Sequence, residues 1–237
     1  MLQIVETEIV LFISFLISSV AGFAGAAIAV PICTAILGLS NAKAVVNIIS
    51  IAFNGTITIQ HREKLNVKEL IPVLSLVLTG MIMGAFINNF ITADEILIRI
   101  LGVIILVITL IRLIYNKELK LSKPVSVVIL LLSGIVNYLF LCGGLVMVLY
   151  TSTRYKEKEL FRCNNSFLFI IQSVYMCIMQ YFKGIYTREN VTIGLIGVVP
   201  VIIATIIGKC IVGVISQKKF EKIIYILMIV MSISLLI

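Results

Sequence analysis

Residues 9–39 read IVLFISFLISSVAGFAGAAIAVPICTAILGL. As one straight helix this stretch would be roughly 46 Å long at 1.5 Å per residue. The hydrocarbon layer of a membrane is only roughly 30 Å thick. The middle of the stretch carries Gly22, Gly25, Ala26 and Ala27, and Pro31 follows. Small residues let a helix unwind and let backbones approach closely, and proline removes a helical donor. The stretch therefore reads as a helix broken inside the membrane and folded back as two shorter pieces. Residues 125–151 form a second overlong run, with Cys142, Gly143 and Gly144 inside it, and read the same way.

The rest of the chain agrees with a membrane setting. Further apolar runs fall at 44–60, 70–91, 96–114, 163–182, 191–215 and 223–237. The composition is 61% hydrophobic and 13% charged, with mean hydropathy +1.19. A soluble domain carries about 25% charged residues, so this chain lacks the polar residues to cover a water-facing surface, and lipid is its solvent. The fold class is all-α, a polytopic transmembrane helix bundle.

The net charge of +8 does not point to nucleic acid. Lys and Arg sit in short loops between apolar runs, with no aromatic-interleaved basic stripe. Their placement reports topology instead. With eight simple crossings, the basic residues divide nine against nine. With both broken runs turning back, fourteen fall on one side (Arg62 to Lys68, Arg112 to Lys123, Arg154 to Arg162, Lys218 to Lys222) and four on the other (Lys43, Arg99, Lys183, Arg188). The positive-inside rule selects the second arrangement, multi-pass in the cell inner membrane, with both termini outside. Residues 1–8 carry Glu6 and Glu8 and no basic region, so no cleavable signal is expected.

The halves repeat. Asn66-Val67, Gly84 and Thr92 match Asn190-Val191, Gly208 and Ser216 at an offset of 124. Gly25 and Asn47 match Gly143 and Asn165 at an offset of 118. The repeats divide as residues 1–120 and 121–237. Five membrane elements per repeat is an odd number, so the two have opposite orientation, the inverted-repeat plan of many secondary transporters.

Two constellations carry chemistry. The first is the pair of breaks, Gly22, Gly25 and Ala26 in one repeat and Cys142, Gly143 and Gly144 in the other. A half-helix that starts inside the membrane points N–H groups and a positive dipole end at whatever cavity it faces, which suits an anion. Plain packing by small residues is the alternative. The second is polar. Asn47, Ser50, Asn54 and Thr58 share one helix face, and Asn165, Ser166, Gln172 and Ser173 lie on the corresponding helix. Asn47 matches Asn165 and Asn54 matches Gln172. Buried amides need a partner, either a neighbouring helix or a substrate. Lys209 is the one charge clearly within a predicted helix, although it can snorkel to the adjacent basic loop, whereas Arg99 sits near a helix start as an interface anchor.

Other chemistries find no support. There is no phosphate-binding loop, no HExxH and no carboxylate pair within an apolar run. With no buried carboxylate in view, a proton-relay or sodium-site signature is missing. His61 is the only histidine, so no His-based metal site and no cofactor are expected. Cys33, Cys142, Cys163, Cys177 and Cys210 form no CxxC pair.

From Gly22 to Pro31 the chain resembles the TauE/SafE sulfite-exporter family, whose first run has closely spaced glycines and a proline several residues on. Gly38-Leu39-Ser40-Asn41-Ala42-Lys43-Ala44-Val45 then resembles its short loop and Ala-rich polar helix. The basic turn His61-Arg62-Glu63-Lys64-Leu65-Asn66-Val67 and the Gly-spaced helix at Gly80-Met81-Ile82-Met83-Gly84 continue the likeness. The second copy departs from it, with Cys142-Gly143-Gly144 and Leu149 where the family has a Gly-rich stretch and a proline. The resemblance implies a secondary carrier of sulfur-containing anions such as sulfite or sulfonates, not an enzyme, with a small anion and membrane lipid as partners. A membrane-embedded enzyme would need clustered acidic, His or Cys residues. A thiol relay would rely on Cys33 and Cys142. An assembly subunit is the remaining alternative.

Overall fold

The computed structural model describes residues 2–21, 25–91, 93–114, 121–155 and 157–211, together with eight residues between 226 and 236. They form nine α-helices: α1 (Leu2–Ala21), α2 (Gly25–Leu37), α3 (Leu39–Gln60), α4 (Val67–Asn88), α5 (Asp94–Ile114), α6 (Lys123–Phe140), α7 (Gly143–Arg154), α8 (Lys158–Phe182) and α9 (Arg188–Ile211). A 3-10 turn at Arg62–Lys64 links α3 to α4. No strand occurs among the described residues. Among the described residues five helices are long and apolar enough to cross a membrane: Gln3–Val20, Leu39–Gln60, Val67–Asn88, Lys123–Phe140 and Arg188–Gly208.

Both overlong runs are broken. The first stops being α1 at Ala21 and resumes as α2 at Gly25; Gly22 lies outside the described residues. The second breaks at Leu141 and Cys142, with Leu141 in the left-handed region at φ 56°. That conformation costs an L-residue about 1–2 kcal/mol, and it turns the chain sharply from α6 into α7.

The chain forms two compact units, residues 1–65 with 162–215, and residues 66–161 with 216–237. Each draws helices from both halves of the sequence. In the first unit α1 packs on α2 and α9, and α3 packs on α2 and α9. Leu11, Phe15, Ile28, Val45, Ile49 and Val201 are buried there, and Phe15 meets Phe53 edge-on with ring centroids 5.0 Å apart. Val5, Ile9 and Ile13 recur every four residues and are exposed. An apolar outer stripe of this kind would be costly in water and is at home in lipid. The turn from α2 to α3 runs through Gly38 at φ 77°, ψ 157°, a conformation open essentially to glycine alone.

In the second unit α4 crosses α6 at a pair of glycines. A Cβ on Gly80 would run into the Leu131 carbonyl, and one on Gly134 into the Val77 carbonyl. The two backbones touch because neither carries a side chain there. α6 and α7 then fold against each other as a hairpin.

Three readings of the sequence change. α8 begins at Lys158, so Arg162 lies on a helix and not in a loop. α4 begins at Val67, three residues before its apolar run. Glu8 lies well within α1, and both of its carboxylate oxygens are buried, so a buried carboxylate is present after all. All three have one cause. An apolar run marks where hydrocarbon-compatible residues begin, whereas a helix can start a turn or more earlier on charged residues.

Candidate substrate site

Glycine lets the second limb of each hairpin lie flat on the first. A Cβ at Gly25 would stand 2.8 Å from Ser18 Cβ and 3.2 Å from Phe15 Cδ1. A Cβ at Gly143 would collide with the Ser133 carbonyl and Asn137 Cβ. Ser133 Oγ donates to the Gly143 carbonyl at 2.9 Å, which pins the turn. Gly25 and Ala26 therefore open α2, and Gly143 and Gly144 open α7 behind Cys142. The first N–H groups of a helix have no partner within it, and they carry the positive end of its dipole.

The amides of the first unit meet along α3 and α8. Asn47 is fully buried, and its Nδ2 donates to the Ser173 carbonyl (3.1 Å), Cys177 Sγ (3.2 Å) and Gln180 Oε1 (3.3 Å). Tyr186 OH donates to the same Gln180 oxygen at 2.8 Å. At the opposite end Cys163 Sγ donates to the His61 carbonyl at 3.2 Å. The start of α3 thus lies by the end of α8, and the two helices run antiparallel. Burial and the hydrogen bond to Cys177 push the Tyr186 phenol well above its usual range.

The matched amides divide by role. Asn54 Nδ2 donates to the Ser50 carbonyl at 2.8 Å, and Gln172 Nε2 to the Leu168 carbonyl at 3.1 Å. Each turns back four residues along its own helix. Asn165 differs from both. It is 1% exposed, and neither its Oδ1 nor its Nδ2 has a hydrogen-bond partner. A buried amide left wholly unpaired is costly, which sets Asn165 apart from the other matched amides. Asn47 bonds α8 at Ser173, Cys177 and Gln180; Asn165 accepts and donates none of its bonds.

Arg162 was not among the expected site residues. Its Nη2 donates to the Ser19 carbonyl at 2.7 Å, in the last turn of α1 just before the first break. A cation at a helix C-terminus is favourably placed. Arg162 and Asn165 are three residues apart on α8, one turn along the same side. Extending α8 back by one turn would have exposed this pairing in the sequence. A positive side chain, an unpaired amide and a helix break suit a small solute bearing negative charge.

A family model described as sulfite exporter TauE/SafE matches residues 9–235. This chain belongs to the TauE/SafE family. No curated protein and no solved structure matches it. The match takes in both breaks, the α3–α8 amides and Arg162, and it makes the chain a membrane transport protein.

The remaining expected residues of this TauE/SafE protein stand as follows. Lys209 lies in the last turn of α9, one residue past the apolar span Arg188–Gly208; its side chain lies outside what is described. Cys33, Cys142 and Cys163 are buried, Cys177 is half-buried and Cys210 exposed, and none of the five is in a disulfide. The start of α9 is fixed by a reciprocal cap. Thr187 N–H donates to Asn190 Oδ1 at 2.9 Å, and Asn190 N–H donates to Thr187 Oγ1 at 3.2 Å. Asn190 Nδ2 also donates to Asn41 Oδ1 at 3.2 Å, which ties the start of α9 to the start of α3.

Proposed function

We propose that this protein is a secondary transporter of a small sulfur-containing anion, sulfite or a sulfonate, and that it works by alternating access between two inverted repeats. The match to the sulfite exporter family across residues 9–235 carries the substrate class. The site geometry supports it, because the unpaired Asn165 amide and the Arg162 guanidinium can donate to an oxyanion. The family placement favours a carrier over a thiol relay or an assembly subunit.

The packing supports the repeat. Gly25 lies against Phe15 and Ser18, and Gly143 against Ser133 and Asn137. The offset of 118 that joins the two glycines also carries Phe15 to Ser133, and carries Ser18 to within one residue of Asn137. Gly84 lies against Ile135 and Tyr138, and its match Gly208 lies against Leu16 and Ser19. The equivalent helices α3 and α8 are antiparallel, which fits inversion.

Calorimetric titration of the purified protein with sulfite is the test. The wild type is expected to bind sulfite. Asn165→Ala is expected to weaken binding by about tenfold, the scale of one hydrogen bond to a charged group. Thermal stability should be retained, since the amide makes no bond within the protein. Unchanged sulfite affinity in a stably folded Asn165→Ala would remove Asn165 from the site.

A further inference from the structure

Glu8 is a carboxylate in a place where an ionised one is hard to sustain. It lies on α1, five residues and about 7.5 Å inside Gln3, where the apolar span begins. Both carboxylate oxygens are buried, and neither has a hydrogen-bond partner. The side chain shares the inner face of α1 with Leu11, Phe15 and Ser18, the face that runs down to the first break.

Its surroundings fit a carboxyl group closely. On α9 the neighbour is Gly197, where a Cβ would lie 2.9 Å from Oε2 and 3.3 Å from Oε1. Only a residue without a side chain leaves this room. Ile49 of α3 lines the same spot, with its Cδ1 2.7 Å from that Cβ position. The titratable group facing Glu8 from α2 is Cys33. On α9 the nearest charged residues are Arg188 and Glu189, at the head of that helix. On α8 the charge near α1 is Arg162, at the far end by Ser19. On α1 itself Glu6 is exposed. No cation is set against Glu8 by these contacts, and an ionised carboxylate is costly to bury without one.

A cavity also approaches the carboxyl from one end of the unit. Its volume is about 550 Å³, and it is lined by Gln3, Asn41, Thr187, Arg188, Asn190 and Ile193. Gly197 follows Ile193 by four residues on α9, one turn deeper on the same side. The polar cavity therefore ends about one helical turn, roughly 6 Å, short of the carboxyl.

We propose that Glu8 is an intramembrane proton-binding site, filled through this cavity, and that it couples anion movement to a proton gradient. The carboxylate takes a proton from water on the cavity side and becomes the neutral acid. It returns the proton to water when the unit opens on the other side. An ionisable residue within a membrane segment commonly marks such a relay. Coupling rests on the transport reading above, whereas proton occupancy of Glu8 does not.

Two measurements on the full chain in proteoliposomes test the proposal. Infrared spectra at neutral pH, wild type minus Glu8→Gln, are expected to show the carbonyl stretch of a protonated carboxylic acid. In flux assays with sulfite as the probe, an imposed pH gradient is expected to change wild-type sulfite flux about tenfold. Glu8→Gln, which is isosteric, should exchange sulfite without responding to the gradient. Gly197→Ala, which keeps the carboxyl but displaces it, should weaken the response. A Glu8→Gln protein that responds to the gradient as the wild type does would overturn coupling. A difference spectrum without the acid band would overturn proton occupancy. If no variant moves sulfite, including the wild type, the transport reading has failed, and the infrared band alone decides whether Glu8 holds a proton.

Discussion

Glycine does two jobs in this chain, and they differ in what a methyl group would meet. At Gly25 the obstacle is the Ser18 side chain, with Cβ at 2.8 Å and Oγ at 3.0 Å. At Gly143 it is the Ser133 backbone carbonyl, together with Asn137. A rotamer change moves neither a serine Cβ nor a carbonyl, so in both cases a helix must shift as a body, and the overlap at Gly143 is the deeper, with backbone and side chain both in the way. Gly143→Ala is therefore expected to lose the more stability, about 1–3 kcal/mol as typical overpacking, and Gly25→Ala measurably less. Melting curves in detergent check this, and equal losses would mean that the two hairpins yield alike. The sequence marks these glycines through their spacing and their matched offset. It does not say which atoms they face, because that depends on the angle at which α7 returns along α6. Asn165 is also legible as a buried amide; its lack of any partner is not, since only the packing shows which amides meet.

At the scale of helices, hydropathy marks the breaks because 31 residues cannot cross roughly 30 Å of hydrocarbon as one helix. It misses the polar first turns of α4 and α8 and the buried Glu8, because a charged residue at the edge of a run looks the same whether it faces water or protein. The helix ends also carry the topology. In the first unit the Asn41–Asn190 hydrogen bond holds the starts of α3 and α9 together, so Lys43 and Arg188 lie at one end. The Cys163–His61 contact marks the opposite end. In the second unit Glu69 and Arg154 both act on the Tyr155 phenol, which burial chiefly raises, so the start of α4 lies by the end of α7. Single cysteines replacing Lys68 and Arg154, in a cysteine-free background, are expected to label from the cytoplasm alone. Cysteines replacing Lys43 and Arg188 should label from outside alone. Labelling of positions 68 and 154 from opposite faces would end the ten-element count, and with it the inverted repeat.

At the scale of the whole molecule, each compact unit combines helices from both halves of the chain. Composition and charge asymmetry alone identify a multi-pass membrane protein. The long-range assembly is not legible in the sequence, because residues 1–65 join residues 162–215 across almost a hundred intervening positions. What the molecule carries is the central claim. It rests on the family match, on a guanidinium beside a helix break, and on a buried amide with no partner. The most direct test is flux through the purified protein in proteoliposomes, with sulfite and a simple alkyl sulfonate compared against a neutral solute of similar size and a monovalent cation. Protein-dependent flux is expected for sulfite, the sulfonate or both, and for neither control. Flux of the neutral solute or the cation, with none of either anion, would contradict the account.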